Sequence, residues 1–192
     1  MFSIIFSIQA CETNSSASED QYVSTTKKHR NAVAVTDTSV FAIIEIPAGT
    51  TEYFDLDSES GKIKSTNETL EFLPFPGNLG FIPKTKLDGR PIDVIVLSKK
   101  ISSGEEVNTK PIGGMRIKMD NNERFILIAV PYEEKMKTIK AESFQDFFTI
   151  YDPVKFILEQ WFQNYDGKGK KKIINWMDEV SAFRHVKNNQ VD

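Results

Sequence analysis

The stretch Leu87-Asp88-Gly89-Arg90-Pro91-Ile92-Asp93-Val94-Ile95-Val96 carries two carboxylates five residues apart at the entrance to an apolar run. Gly89 permits a tight turn and Pro91 fixes the backbone after it, so both acids can converge on one cation. A hard divalent ion such as Mg²⁺ or Mn²⁺ takes carboxylate oxygens and completes its octahedron with water and substrate phosphates. Glu45 in Ile-Glu-Ile-Pro-Ala-Gly and Asp120 after Met119 are further acids at the ends of apolar runs. Taken singly, each acid has a plainer role as a turn residue or a solvated charge. Arg90 either pairs with Asp88 or Asp93 in place of a metal or grips an anion. Lys168, Lys170, Lys171 and Lys172 form a basic run, which is either a solvated surface or, close behind Tyr165, a set of phosphate contacts.

These residues need a scaffold, and 192 residues of which 40 % are hydrophobic suffice for one domain with a full core. A net charge of −3 gives no general pull toward nucleic acid. No stretch approaches the roughly 18 apolar residues of a membrane span. Fourteen phenylalanines favour a β-rich core. Val40 to Ile46 reads as a buried strand closed by Pro47, Ala48 and Gly49. Tyr53 to Asp57 and Lys62 to Lys64 flank the turn residues Ser58, Glu59, Ser60 and Gly61 as a hairpin. Ile92 to Leu97, Gly113 to Met119 and Phe125 to Val130 are further strands, the last two joined by Asp120, Asn121, Asn122 and Glu123. At least five short strands with irregular loops predict a closed or partly closed barrel. The C-terminal quarter changes period. Val154, Ile157, Leu158, Trp161, Phe162 and Tyr165 form a helical stripe, with Asp152 as N-cap, Pro153 as first helical residue and Gly167 as stop. A second helix is expected over Asn175 to Lys187, with Trp176, Val180 and Phe183 facing inward. Ile157, Trp161 and Phe162 are expected to pack on the barrel.

The single cysteine excludes an internal disulfide and a thiolate zinc cluster. It ends the apolar run Met1 to Cys11, in which Ile8-Gln9-Ala10-Cys11 resembles the lipobox of a bacterial lipoprotein. Residues 12 to 36 are rich in Ser, Thr, Asn, Glu and Lys and read as a flexible tether. That resemblance implies a protein anchored through a lipidated Cys11, facing the periplasm or the exterior. The alternative is a cytoplasmic protein with a frayed terminus. The folded domain spans residues 37 to 192. His29 falls in the tether and His185 near the C-terminus, and neither is assigned a role.

The ordered set IEIPAG (44–49), DLDSESGKI (55–63), FLPFPGNLGFIP (72–83), LDGRPIDVIVL (87–97), KPIGGMRIKMD (110–120), LIAVP (127–131) and WFQNYDGKGK (161–170) resembles the soluble inorganic pyrophosphatases. The resemblance implies a mainly β, α+β fold: an OB-like five-stranded β-barrel with flanking C-terminal helices, commonly assembled as a homo-oligomer. It also implies Mg²⁺-dependent hydrolysis of diphosphate to two phosphates. On this basis Glu45, Asp88, Asp93 and Asp120 match metal ligands. Tyr165 matches the helix tyrosine, and Asp55 a second-strand glutamate. Asp88, Asp93 and Tyr165 would serve catalysis, and Asp55, Lys168 and Lys170 would hold diphosphate or another phosphate-bearing anion.

The same resemblance exposes departures. The middle acid of the D-x-D-x-x-D signature, which in the family orients the attacking water, is Arg90. Phosphate-gripping cations fall on Tyr53, Asn67, Ile126 and Asp166, and loop tyrosines on Phe75 and Leu79. A further metal-binding acid falls on Arg124, with Glu123 beside it as a stand-in. Loss of one such electrostatic partner costs about 10²–10³ in rate, so the expected activity is reduced. A catalytically inactive binding or assembly module is the alternative.

Overall fold

A computed structural model of the chain describes residues 35–36, 38–57, 60–69, 73–119, 122–165 and 171–191. Cys11, His29, Asp120, Gly167, Lys168 and Lys170 lie outside them. Among the described residues the strands are β1 (Val40–Ile46), β2 (Glu52–Asp57), β3 (Lys62–Thr69), β4 (Asn78–Leu87), β5 (Arg90–Val96), β6 (Glu106–Met119), β7 (Asn122–Pro131) and β8 (Lys172–Met177). The α-helices among these residues are α1 (Phe144–Thr149), α2 (Asp152–Asn164) and α3 (Glu179–Lys187).

Five strands close into a ring in the order β1-β4-β5-β7-β6, because β1 pairs with both β4 and β6. All ring neighbours are antiparallel except β5 and β7, which run parallel with Asp93 opposite Ile126. This is the expected OB-like barrel, and β8 extends it beyond β6 while β2 and β3 form a separate hairpin. At the β1–β4 seam a Cβ on Gly80 would lie 2.0 Å from the Ile43 carbonyl oxygen, so only glycine permits that approach. Asn78 is fully buried where β4 begins. Its Oδ1 accepts from the Ala48 and Ile101 amides at 3.0 and 2.8 Å, and its Nδ2 donates to Ser98 Oγ and the Lys99 carbonyl. One side chain thereby joins the ends of β1 and β5.

The side-chain alternation of the strands sorts the core into two clusters. Val40, Ala42 and Ile44 of β1, Ile92, Val94 and Val96 of β5, and Phe125, Leu127 and Ala129 of β7 share one cluster, joined by Ala182 and Val186 of α3. The other holds Ile95 and Leu97 of β5, Met115 and Ile117 of β6, Ile126, Ile128 and Val130 of β7, Phe147 of α1, and Leu158, Trp161 and Phe162 of α2. By the same period of two, Asp93 and Arg124 face the second cluster's side of their strands.

The helices depart from expectation in detail. Tyr151, not Asp152, is the cap residue of α2, and Pro153 occupies its second position. Trp161 and Phe162 are buried with Leu158, but Ile157 is 55 % exposed, because the buried stripe of α2 runs through 158, 161, 162 and 165. The segment Asn175 to Met177 is strand, not helix: it pairs with β6, Met115 lying opposite Trp176. Helix α3 starts only after Asp178, whose carboxylate accepts from the Ser181 amide at 2.7 Å. Val180 points to solvent at 59 % exposure, while Trp176 and Phe183 are half-buried. Val35, near the end of the segment read as a tether, is buried and bridges Val40.

Candidate functional site

A cavity of about 450 Å³ opens on the side of the sheet that carries Asp93. Glu45 reaches it from the end of β1, Tyr53 and Asp55 from β2, Arg90 and Asp93 from β5, and Arg124 and Ile126 from β7. Phe75 and Leu79 enter beside β4, and Trp161, Phe162 and Tyr165 from α2 and its end. The rings form a continuous wall. Trp161 stacks on Tyr165 with centroids 4.8 Å apart, Phe75 lies 4.7 Å from Trp161, and Tyr53 meets Phe75 edge-on at 5.4 Å. Lys171 places Nζ 3.4 Å from the Tyr165 ring centroid on this train.

Glu45, Asp55, Asp93 and Tyr165 are thus brought together. Asp88 is not with them. It occupies the two-residue turn Asp88-Gly89 between β4 and β5, both residues at positive φ (51° and 91°), with Leu87 opposite Arg90. An Asp-Gly pair suits such a hairpin turn, the plainer of the two roles open to Asp88. From there it lines a shallow depression shared with Arg90, Asp93, Glu123 and Arg124, next to the main cavity. Lys172 starts β8 opposite Lys118, exposed on the surface.

The electrostatics are organised around Asp93. Burial pushes its pKa up, and Arg124 and Arg90 act against that rise. Arg124 approaches within 3.6 Å of the carboxylate. The ion pair expected of Arg90 therefore belongs to Arg124, which comes from the parallel strand two residues before Ile126. Arg90 acts on Asp93 across a longer distance, as it projects from an exposed position. At the other end, burial raises Glu45 to about 7, with Asp55 and Asp93 adding to the rise and the Leu56 amide opposing it.

Hard divalent ions need several oxygen donors free of competing cations. Among the described residues no group of three Asp, Glu, His or Cys side chains is placed to hold a metal. Asp93 is engaged by a guanidinium, and Asp88 is turned toward the neighbouring depression. The described donor set therefore does not fit Mg²⁺ as it stands. Positions that the resemblance gives to cations or hydroxyls, Tyr53, Phe75, Leu79 and Ile126, all lie in the cavity wall, where three of the four are apolar and Tyr53 is uncharged.

Comparison with known proteins bears on the origin of this arrangement. The family model described as inorganic pyrophosphatase matches residues 42–191. This chain belongs to the inorganic pyrophosphatase family. The chain is 30 % identical over 152 residues to an inorganic pyrophosphatase of Aquifex pyrophilus, covering 77 % of this chain and 85 % of that protein. One from Buchnera aphidicola is also 30 % identical, over 78 % of this chain and 86 % of that one. The crystal structure of inorganic pyrophosphatase from Thermus thermophilus superposes with a TM-score of 0.71 at 25 % identity, covering 81 % of this chain and 92 % of that one. Within the pyrophosphatase fold, sequence reasoning missed Arg124 as the partner of Asp93 and Trp161 as the centre of the aromatic wall. The helical stripe already contained Trp161. The Arg124 pairing depends on the parallel β5–β7 register, for which no local signal exists.

Proposed function

We propose that this chain is a pyrophosphatase-family protein in which hydrolysis of diphosphate is slow and the cavity acts chiefly as a binding pocket. The observation that carries this reading is the Arg124–Asp93 pair, with Arg90 alongside. At both arginine positions the resemblance calls for an acid. Hydrolysis of diphosphate depends on positioned cations and on a carboxylate that orients the attacking water. A guanidinium at position 90 accepts no proton, and a guanidinium at position 124 competes for the carboxylate that a metal would need. Apolar side chains at 75, 79 and 126, and an uncharged phenol at 53, withdraw charged and hydroxyl groups that would grip phosphate oxygens.

Phosphate release from diphosphate with Mg²⁺ or Mn²⁺ tests this directly. Turnover should fall at least about 10³-fold below that of a family member with the full residue set, the cost of one lost electrostatic group serving as the floor. Arg90→Asp should recover only part of it, since the phosphate grip stays absent and effects within one site do not add. Full turnover by the unmodified protein would refute the proposal.

A further inference from the structure

Helix α3 is held to the barrel by one buried face and by its tail. Ala182 and Val186 are fully buried, and a Cβ on Gly114 of β6 would lie 3.1 Å from the Ala182 methyl. On the same face the His185 ring meets Phe125 of β7 at 67°, with centroids 4.5 Å apart. Beyond the helix the Asn189 carbonyl accepts from the Lys86 amide at 2.8 Å, and the Val191 amide donates to the Lys84 carbonyl at 2.9 Å. Residues 189–191 therefore strap the outer end of β4, where Thr85 bridges Gln190. Lys84 is held there at φ 54°, which a lysine seldom adopts. The strapped arm leads directly into the Asp88-Gly89 turn and Arg90 at the cavity rim.

His185 Nε2 is buried in this interface and has no hydrogen-bond partner. In a neutral imidazole Nε2 can be the bare nitrogen, but in an imidazolium both nitrogens carry protons, and a buried charged N–H would lack an acceptor. The surrounding charges are mostly of one sign. Arg116 lies opposite Phe125 on β6 and acts on the ring, with Lys118 and Lys172 paired farther along the sheet. Arg184 and Lys187 share the last turn of α3, and Lys84 and Lys86 belong to the strapped arm. Among the acids, Glu123 lies opposite Lys118 and lines the depression beside Phe125 with Asp88, while Arg124 turns to the cavity. Asp178 and Glu179 stand at the start of α3, bound to the Ser181 and Phe144 amides. The last turn of a helix ordinarily favours a cation, yet burial and Arg116 hold the imidazole below its usual range. We propose that α3 is an acid-released clamp: protonation of His185 lifts the helix and its 189–191 strap from the barrel and frees the β4–β5 arm that carries Asp88 and Arg90.

The full chain contains two histidines, His29 and His185, so an imidazole NMR titration reads the switch directly. His185 should titrate below its reference value of 6.5, and Arg116→Gln should raise its midpoint. Hydrogen exchange at pH 7.5 and 5.5, corrected for intrinsic rates, should show the Lys86, Asn188 and Val191 amides losing protection severalfold. The limit is about tenfold, set by one proton taken up on opening. Amides of the β1–β6 seam should keep their protection. His185→Phe, which keeps an aromatic ring that cannot be protonated, and His185→Gln should each abolish the acid response. The wild-type titration and exchange decide the matter even where a variant does not fold. A His185 midpoint at or above 6.5, unchanged exchange in the strap at pH 5.5, seam amides opening in parallel, or an acid response that survives in a folded variant overturns the inference.

Discussion

Glu45 offers a quantitative check on the electrostatics of the cavity. Its carboxyl holds a proton in the native state up to about pH 7, against a reference value of 4.5. Between those values the native protein binds more protons than the unfolded chain, so stability falls as pH rises. The interval is about 2.5 pH units, which at about 1.4 kcal/mol each gives a loss of about 3 kcal/mol as an upper value, complete above pH 7. Glu45→Gln removes the charge and keeps an oxygen that can accept from the Leu56 amide. In EDTA, urea denaturation should find the variant and the wild type close in stability near pH 4.5. At pH 8.5 the variant should be the more stable, by up to about 3 kcal/mol, or roughly 6–12 °C in Tm for a domain of this size. Relief of the neighbouring Asp93 acts in the same direction. A stability difference that does not change with pH, or a variant less stable at pH 8.5, would contradict the assignment of Glu45 as a buried carboxyl lacking a cation.

Further expectations follow from features of the same molecule. Asn78→Ala should destabilise by about 3 kcal/mol or more in denaturant unfolding, because the buried Ala48 and Ile101 amides lose their acceptor and the side chain leaves a void. Millimolar Mg²⁺ should leave the wild-type Tm unchanged, while the Arg90→Asp, Arg124→Glu double variant should gain about 1.4 kcal/mol at ten times its Kd. An equal rise in the wild type would show that the Arg124–Asp93 pair yields to a metal. Anchoring through a lipidated Cys11, which we propose from the sequence, predicts that the protein fractionates with membranes and that Cys11→Ser releases it.

Where one local pattern decided the structure, the sequence was readable. Strand β1 was delimited to the residue because an apolar run met Pro47 and Gly49, and the β6–β7 strands followed from apolar runs around a polar turn. Strand β4 was overlooked because Gly80 and Pro83 interrupt its pattern, yet Gly80 is there for the close approach of β1. The end of strand β8, Asn175 to Met177, was read as helix because Trp176, Val180 and Phe183 have helical spacing, whereas pairing with β6 and the Asp178 cap set the boundary. In the site, Glu45, Asp55, Asp93 and Tyr165 were legible as a group through the family resemblance. An ion pair on Asp93 was anticipated from Arg90, but its formation by Arg124 was not, since that pairing requires side chains from strands brought together only in the folded ring.

That closure is itself late in the logic of the chain. The seam pairs β1 with β6, and Thr109 Oγ1 donates to the Val40 carbonyl 69 residues back along the sequence. Contacts of such separation cost loop entropy before they return any stability, which places the sealing of the ring after the hairpins have formed. Until then β1 and β6 each present an unpaired edge able to recruit a strand from another molecule. Nascent chains stopped short of β7 should therefore be the aggregation-prone species, since β7 alone joins β5 to β6, and chaperone demand should end abruptly once residues 122–131 become available to pair.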